Sequence, residues 1–272
     1  MEYLIIDESK CRKDGICVRE CPASIIQLSK ETGYPEITGD GNCLVCGHCV
    51  AVCPNGALSH ERILLEDCPP IREDLAIREE QAVQFLRSRR SISHFQDKPV
   101  EKEKIHRLIE VARYAPTGGN RQLVEWLVLT DRSRLHTISA LTVDWIRTVI
   151  KDPQVIAARP YLSAMVRAWE ANHDPVLRNA PVLIAASAPR EAVNGLIDLT
   201  LALCYFELLA PLKGLGTCWA GVLQAALLAS DAVREAVGIP EDHPHFYCMM
   251  LGYPDVKFYR LPERRPPKIT FM

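Results

Sequence analysis

Cys43-Leu44-Val45-Cys46-Gly47-His48-Cys49-Val50-Ala51-Val52-Cys53-Pro54 decides how the first part of this chain folds. The spacing is C-x2-C-x2-C-x3-C-P. Three closely spaced thiolates can wrap one iron–sulfur cube, while the fourth, beyond a short helical turn, faces away and ligates another cluster. Pro54 helps to stop that turn because its nitrogen carries no hydrogen to continue a helix. Zinc is the competing use of such thiols, but zinc takes four ligands and this run is arranged as three plus one.

A three-plus-one run demands a second run. Residues 11 to 22 supply it: Cys11-Arg12-Lys13-Asp14-Gly15-Ile16-Cys17-Val18-Arg19-Glu20-Cys21-Pro22. Its first and last Cys both stand 32 residues before their counterparts, and Asp14 occupies the place of the second Cys. Over roughly residues 1 to 63 this resembles a bacterial two-cluster ferredoxin. The resemblance implies that cluster one takes Cys11, Cys17 and Cys53, with Asp14 facing its fourth corner. Cluster two takes Cys43, Cys46, Cys49 and Cys21. A carboxylate is a harder ligand than thiolate, so the iron at that corner is held less tightly. Either Asp14 completes a 4Fe-4S cluster or the corner is lost to a 3Fe-4S form. Between the runs, Ser24 to Leu28 and Pro35 to Thr38 flank Thr32-Gly33-Tyr34, the pattern of a small hairpin. So little apolar cover means that the clusters supply much of this domain's stability.

Bulk composition agrees with cluster binding rather than disulfides. Seven of the eleven cysteines lie between Cys11 and Cys53. The short apolar run after Met1 is expected to be too short for a secretion leader, and the cytosol keeps thiols reduced. A cytoplasmic location is therefore expected. A net charge of −2 gives no field for nucleic acid or an anionic membrane surface. Hydrophobic residues at 48% of 272 allow a second, larger core. The apolar stretch Leu196 to Leu212 holds Asp198 and Glu207, which fits a buried helix better than a membrane span.

The expected organisation is a cluster domain over 1–63, a linker over 64–79 in which Cys68 has no role, and a larger domain over 80–272. The larger part reads as α+β. Glu79 to Arg90 is an expected helix, and Ile105, Leu108, Ile109 and Ala112 recur on one helical face. Val124 to Leu129 and Pro181 to Ala186 are apolar strands. Asn194 to Lys213 is a long helix, apolar nearly all round, ended by Gly214. Such a helix is expected to be buried on every side, partly at a subunit interface. Ser230 caps a helix that runs to Val237 and stops at Gly238, and His245 to Leu251 is a further strand.

Four segments then stand in order: Arg89-Arg90-Ser91-Ile92-Ser93-His94-Phe95, Ala115-Pro116-Thr117-Gly118-Gly119-Asn120-Arg121-Gln122, Gly214-Leu215-Gly216-Thr217-Cys218-Trp219-Ala220-Gly221, and Leu251-Gly252-Tyr253-Pro254 followed by Pro262 to Pro267. Together they resemble the FMN-dependent nitroreductase family across residues 80 to 272. The whole chain thus looks like a ferredoxin–nitroreductase fusion, an α+β protein with a small two-cluster domain in front.

The resemblance implies a set of cofactor contacts. Arg89, Arg90 and Ser91 would grip the FMN phosphate, for which fork-shaped cations and a hydroxyl are suited. Ser93 stands where family members often carry Arg or Lys, so one phosphate charge is missing there. Arg264 and Arg265 would add charge from the C-terminal tail, although Glu263 sits where a relative has Lys. Pro116, Thr117 and Gly118 would let backbone approach the flavin, with Asn120 and Gln122 touching it or its ribityl chain. Trp219, Ala220 and Gly221 would pass the isoalloxazine edge; Cys218 and Trp219 serve equally as core residues. No catalytic dyad is evident, as expected where a flavin carries the chemistry.

Clusters pass single electrons and a flavin can release them in pairs, so their union implies a converter between the two. The expected activity is reduction of a small planar acceptor (a nitroaromatic, quinone or activated alkene) by a homodimer, with ferredoxin or NAD(P)H as donor. No Gly-rich dinucleotide fingerprint follows a strand. Two other readings compete. One is a specialised flavin reaction such as reductive dehalogenation or flavin breakdown. The other is an electron carrier or redox sensor.

Overall fold

A computed structural model describes residues 3–38 and 42–272 of the chain. Met1 and Glu2, where the N-terminal reading began, lie outside the described residues, as do 39–41. The chain divides into two units. The first holds Met1–Ile77 together with Gly119–Arg121, and the second holds Arg78–Gly118 and Gln122–Met272.

The first unit is built twice over. Strand β1 (Leu4–Ile6) precedes helix α1 (Ile16–Glu20), and β2 (Ile26–Leu28) and β3 (Pro35–Ile37) form the expected hairpin. Helix α2 (His48–Ala51) and strand β4 (Leu58–His60) follow, with β4 antiparallel to β1. The 32-residue repeat persists in the backbone. Positive φ angles occur at Lys13 and Val45, at Gly15 and Gly47, and at Ser24 and Gly56. Each pair occupies equivalent places in the two cysteine runs, so both runs coil through the same left-handed turns. Gly15 (φ 70°) and Gly47 (φ 73°) enter the two helices, where a side chain would be strained. Residues 64–77, expected as a connector, belong to this unit as short turns, with Leu65 N–H donating to Ser59 Oγ at 3.0 Å.

The second unit places helices on both faces of one sheet. Its elements are α3 (Glu79–Ser88), α4 (Lys102–Ala112), β5 (Glu125–Leu129), α5 (Arg132–Val149), α6 (Pro153–Ala158), α7 (Tyr161–Glu170), β6 (Val182–Ala188), α8 (Gly195–Leu209), β7 (Gly216–Trp219), α9 (Gly221–Leu227), α10 (Asp231–Val237) and β8 (His245–Gly252). The strands run antiparallel in the order β5-β6-β8-β7. Side chains alternate between faces along a strand. Leu183 and Ala185 of β6 therefore join the core of α5, α9 and α10, while Val182, Ile184 and Ala186 join that of α4 and α8. Coverage on both faces explains why β6 reads as an unbroken apolar run.

Three expectations need correction. Helix α3 stops at Ser88, two residues before Arg90, because Arg89 turns to extended backbone (φ −54°, ψ 130°). The helix expected to reach Lys213 tightens into a 3-10 turn over Ala210–Lys213 before Gly214 (φ 72°) closes it. Nor is α8 buried on every side within this chain. Leu199, Leu203 and Phe206 are fully buried, but Ile197, Leu201 and Tyr205, one i,i+4 ridge, are 60%, 36% and 42% exposed. The sheet and α4 cover only part of the helix circumference. By length and composition Gly195–Lys213 could cross a membrane, although its inner face packs on the sheet.

Candidate functional site

The eight ligand positions fall into two groups around two cavities. Cys21 lines one cavity with Cys43, Cys46 and Cys49. Cys53 lines the other with Cys11, Asp14 and Cys17. Each run thus lends its last cysteine to the other run's set. Among the described residues, no three His, Cys, Asp or Glu side chains converge on one metal-ion position. Backbone N–H groups already point at sulfur, from Val45 to Cys43 at 3.4 Å and from Ala57 to Cys53 at 3.3 Å. Such N–H···S contacts help to set cluster potentials. The two four-residue sets and these contacts fit the residues to iron–sulfur clusters. Burial pushes the free Cys49 thiol up to about 11.

Asp14 lies at its cavity with one oxygen already engaged. Its Oδ1 accepts from Ile16 N–H at 3.1 Å, an Asx turn leading into α1. His60 is a participant that spacing did not reveal. It is buried, its Nδ1 accepts from Arg62 N–H at 3.0 Å, and its Nε2 lies 3.6 Å from Cys43 Sγ. The first contact leaves the hydrogen on Nε2, aimed at the thiol. Burial lowers the pKa of the ring, which favours this neutral form. Tyr3 stacks on the imidazole at 5.9 Å between centroids.

In the second unit, β7 links two cavities. At its start, Gly216 and Thr217 line a recess with Arg89, Arg90 and Ile92, and Ile92 N–H donates to Thr217 O at 2.8 Å. A Cβ on Gly216 would collide with Ile92 and Pro254, so the segment and the strand touch only because this residue is glycine. Arg87, Arg89, Arg90 and Arg264 surround an adjoining recess, with Glu263 the one acid on its wall. That surplus of guanidinium fits a phosphate. Arg265 lines neither recess, Ser91 is exposed, and Ser93 is half-buried. A buried carboxylate organises the group. Glu207 accepts from Arg89 Nη1 at 2.9 Å and from Trp219 Nε1 at 3.0 Å.

At the far end of β7, Cys218, Trp219, Ala220 and Gly221 line a larger cavity, about 1120 Å³ of free space open to solvent. Ala220 N–H is held by Cys248 O at 3.0 Å. Gly221 opens α9, so its N–H belongs to the first turn that a helix leaves unpaired. Loop 173–178 forms the opposite wall, through His173, Asp174 and Arg178 among others.

The segment 116–122 is a run of turns. Gly118 N–H donates to the buried Asp198 Oδ1 at 3.0 Å, and Thr117 Oγ1 accepts from Gln122 N–H at 3.1 Å. Asn120 clusters with the first unit, where its Nδ2 donates to the carbonyls of Val45 at 2.8 Å and Leu44 at 3.2 Å. Pro116, Gln122 and Asn120 line none of the recesses around β7.

Comparison with known proteins addresses both units. Residues 86–253 match the model of the nitroreductase family, and residues 3–54 match that of a 4Fe-4S dicluster domain. A protein of Archaeoglobus fulgidus described as an NADH dehydrogenase/NAD(P)H nitroreductase is 28% identical over 192 residues, spanning 69% of this chain and 95% of its own. A protein of Hydrogenibacillus schlegelii described as a 7Fe ferredoxin is 35% identical over 69 residues, 25% of this chain and 82% of its own. A crystal structure of a nitroreductase with bound FMN from Bacteroides fragilis superposes with a TM-score of 0.57 at 19% identity. It covers 72% of this chain and 100% of that one, a likeness of fold.

Proposed function

Because the chain belongs to the nitroreductase family and carries a 4Fe-4S dicluster domain ahead of it, we propose that it is an FMN-dependent oxidoreductase fed by two iron–sulfur clusters. Its acceptor is a small planar molecule: a nitroaromatic, a quinone or an activated alkene. One observation carries this reading. The same chain holds two four-ligand cavities and, separately, an arginine-rimmed recess that begins a strand ending in an open cavity.

When bound, FMN supplies exchange between single electrons and electron pairs. The protein's own residues supply position and field. Arg89, Arg90 and Arg264 hold the phosphate, with Ser91 beside them. Glu207 holds Arg89 from behind and fixes the Trp219 indole. Ala220 and Gly221 present backbone at the flavin edge, and the cavity beyond them admits the acceptor. NAD(P)H or a reduced ferredoxin is the donor.

Cluster two is a 4Fe-4S cube on Cys21, Cys43, Cys46 and Cys49. Cluster one rests on Cys11, Cys17 and Cys53, with Asp14 where a fourth thiolate would stand. The relative named for seven irons, one short of two four-iron cubes, supports a labile corner there. The protein acts as a homodimer, and the exposed ridge of α8 is its contact. Leu201→Arg should then sediment at 30.5 kDa while the parent sediments at twice that mass.

The test is an anaerobic acceptor screen with a chemical reductant. Turnover of nitro or quinone compounds supports the reading. Failure on all of them with flavin bound would favour a specialised reaction such as reductive dehalogenation, and no turnover of any small molecule would favour an electron carrier.

A further inference from the structure

The cavity beyond Trp219 is charged on one side only. Its wall includes Met165, Ala168, Val176 and Val222, which offer apolar surface to a flat molecule. Asp174 is the acid of this wall, and both of its oxygens are engaged. Oδ1 accepts from the N–H groups of Val176 at 2.9 Å and Leu177 at 3.0 Å; Oδ2 accepts from Ser139 Oγ at 3.1 Å and Asn179 N–H at 3.3 Å. That carboxylate fastens the loop and is turned away from a ligand's use. Arg178 follows four residues later with φ 56°, and Asn179 with φ 55°, two successive left-handed residues that the Asp174 cage holds in place. Arg178 lines the cavity, and among the described residues its guanidinium makes no hydrogen bond or ion pair. It is close enough to Cys218, on the β7 wall, to favour that thiol's ionised form against the larger opposing effect of burial.

An unpaired fork of donors facing an apolar slot is complementary to a planar molecule with an anionic edge. We infer that this cavity binds conjugated or aromatic acids, the Arg178 guanidinium taking the carboxylate while the ring lies against the apolar wall. The inference rests on the flavin reading above and narrows its acceptor class from planar molecules in general to planar anions. His173 and Tyr161 complete the polar rim.

Equilibrium binding tests it without turnover. Holoprotein, free of reductant, is titrated by calorimetry with 4-nitrobenzoate and with the neutral 4-nitrobenzyl alcohol, in the parent and in Arg178→Met and Arg178→Lys. The parent should prefer the acid by about tenfold or more, the increment of one charge-assisted contact. Arg178→Met should abolish the preference without changing the alcohol's affinity, and Arg178→Lys should restore part of it. Equal affinity for both compounds in the parent, no binding of either, or a preference that survives Arg178→Met would overturn the inference. FMN per chain, read by absorbance on the same samples, reports separately on the flavin reading. A full complement of FMN with no acid preference sinks the inference alone; absence of FMN sinks the reading beneath it.

Discussion

Arg89 and Glu207, 118 residues apart in sequence, meet through a 2.9 Å contact between Nη1 and Oε1, with Glu207 only 5% exposed. The other carboxylate oxygen holds the Trp219 indole at 3.0 Å. One buried charge thus ties the turn after α3 to the end of β7, the two places where the phosphate and the ring edge of a flavin are proposed to lie. Arg89 has five donors, so the tether leaves others for a ligand.

Glu207→Ala should therefore act on stability and on cofactor together. Breaking a fully buried ion pair by removing one partner costs about 3–5 kcal/mol, and with Arg89 partly exposed about 2–3 kcal/mol is expected here. At unchanged slope the urea midpoint should fall by that free energy divided by the slope, and FMN should be lost on gel filtration. Glu207→Gln, which can still accept one of the two hydrogen bonds, should retain more flavin. A variant as stable and as flavin-rich as the parent would show that the tether organises nothing.

Asp14→Cys replaces a hard oxygen with the soft ligand found at the other corners. Controlled oxidation of the parent should yield the electron paramagnetic resonance signal of a 3Fe-4S cluster, and the substituted protein should resist that loss. An identical oxidation product from both proteins would place Asp14 away from the iron.

His60→Phe keeps a ring for Tyr3 to stack on but removes the Nε2 hydrogen aimed at Cys43 Sγ. Hydrogen bonds to cluster sulfur stabilise the reduced, more negative state. The midpoint potential of the cluster on Cys43 should fall by tens of millivolts, where about 59 mV is a tenfold change for one electron. The other cluster should be unmoved. A potential unchanged at both, in a redox titration followed by paramagnetic resonance, would show that the contact has no electronic effect.

What the sequence disclosed and what it withheld follow from the range of the interactions. The cysteine runs are local, and their repeat was legible down to the offset that the backbone later displays at Gly15 and Gly47. Strand β6, helix α8 and the caps at Ser230 and Gly238 carry their own local chemistry and were legible too. Residues 132–180 gave no reading, although α5, α6 and α7 lie there, and with them went the cavity wall that holds Arg178. His60 shares no spacing with the cysteines; the pairing of β4 with β1, Leu4 opposite His60, sets it in place. Glu207 stood out only as an acid in an apolar helix, since its partners come from distant segments. Asn120 was assigned to the flavin from its segment, whereas its amide bonds to Leu44 and Val45, a pairing that no local pattern encodes.

Everything proposed above requires one chain to carry both kinds of redox centre. Iron, acid-labile sulfide and released FMN, measured per chain on protein purified without oxygen, test it most directly. About seven or eight irons with about eight sulfides, and one FMN, are expected. Iron without flavin would contradict the flavin half and leave a ferredoxin-like carrier; flavin without iron would contradict the cluster half.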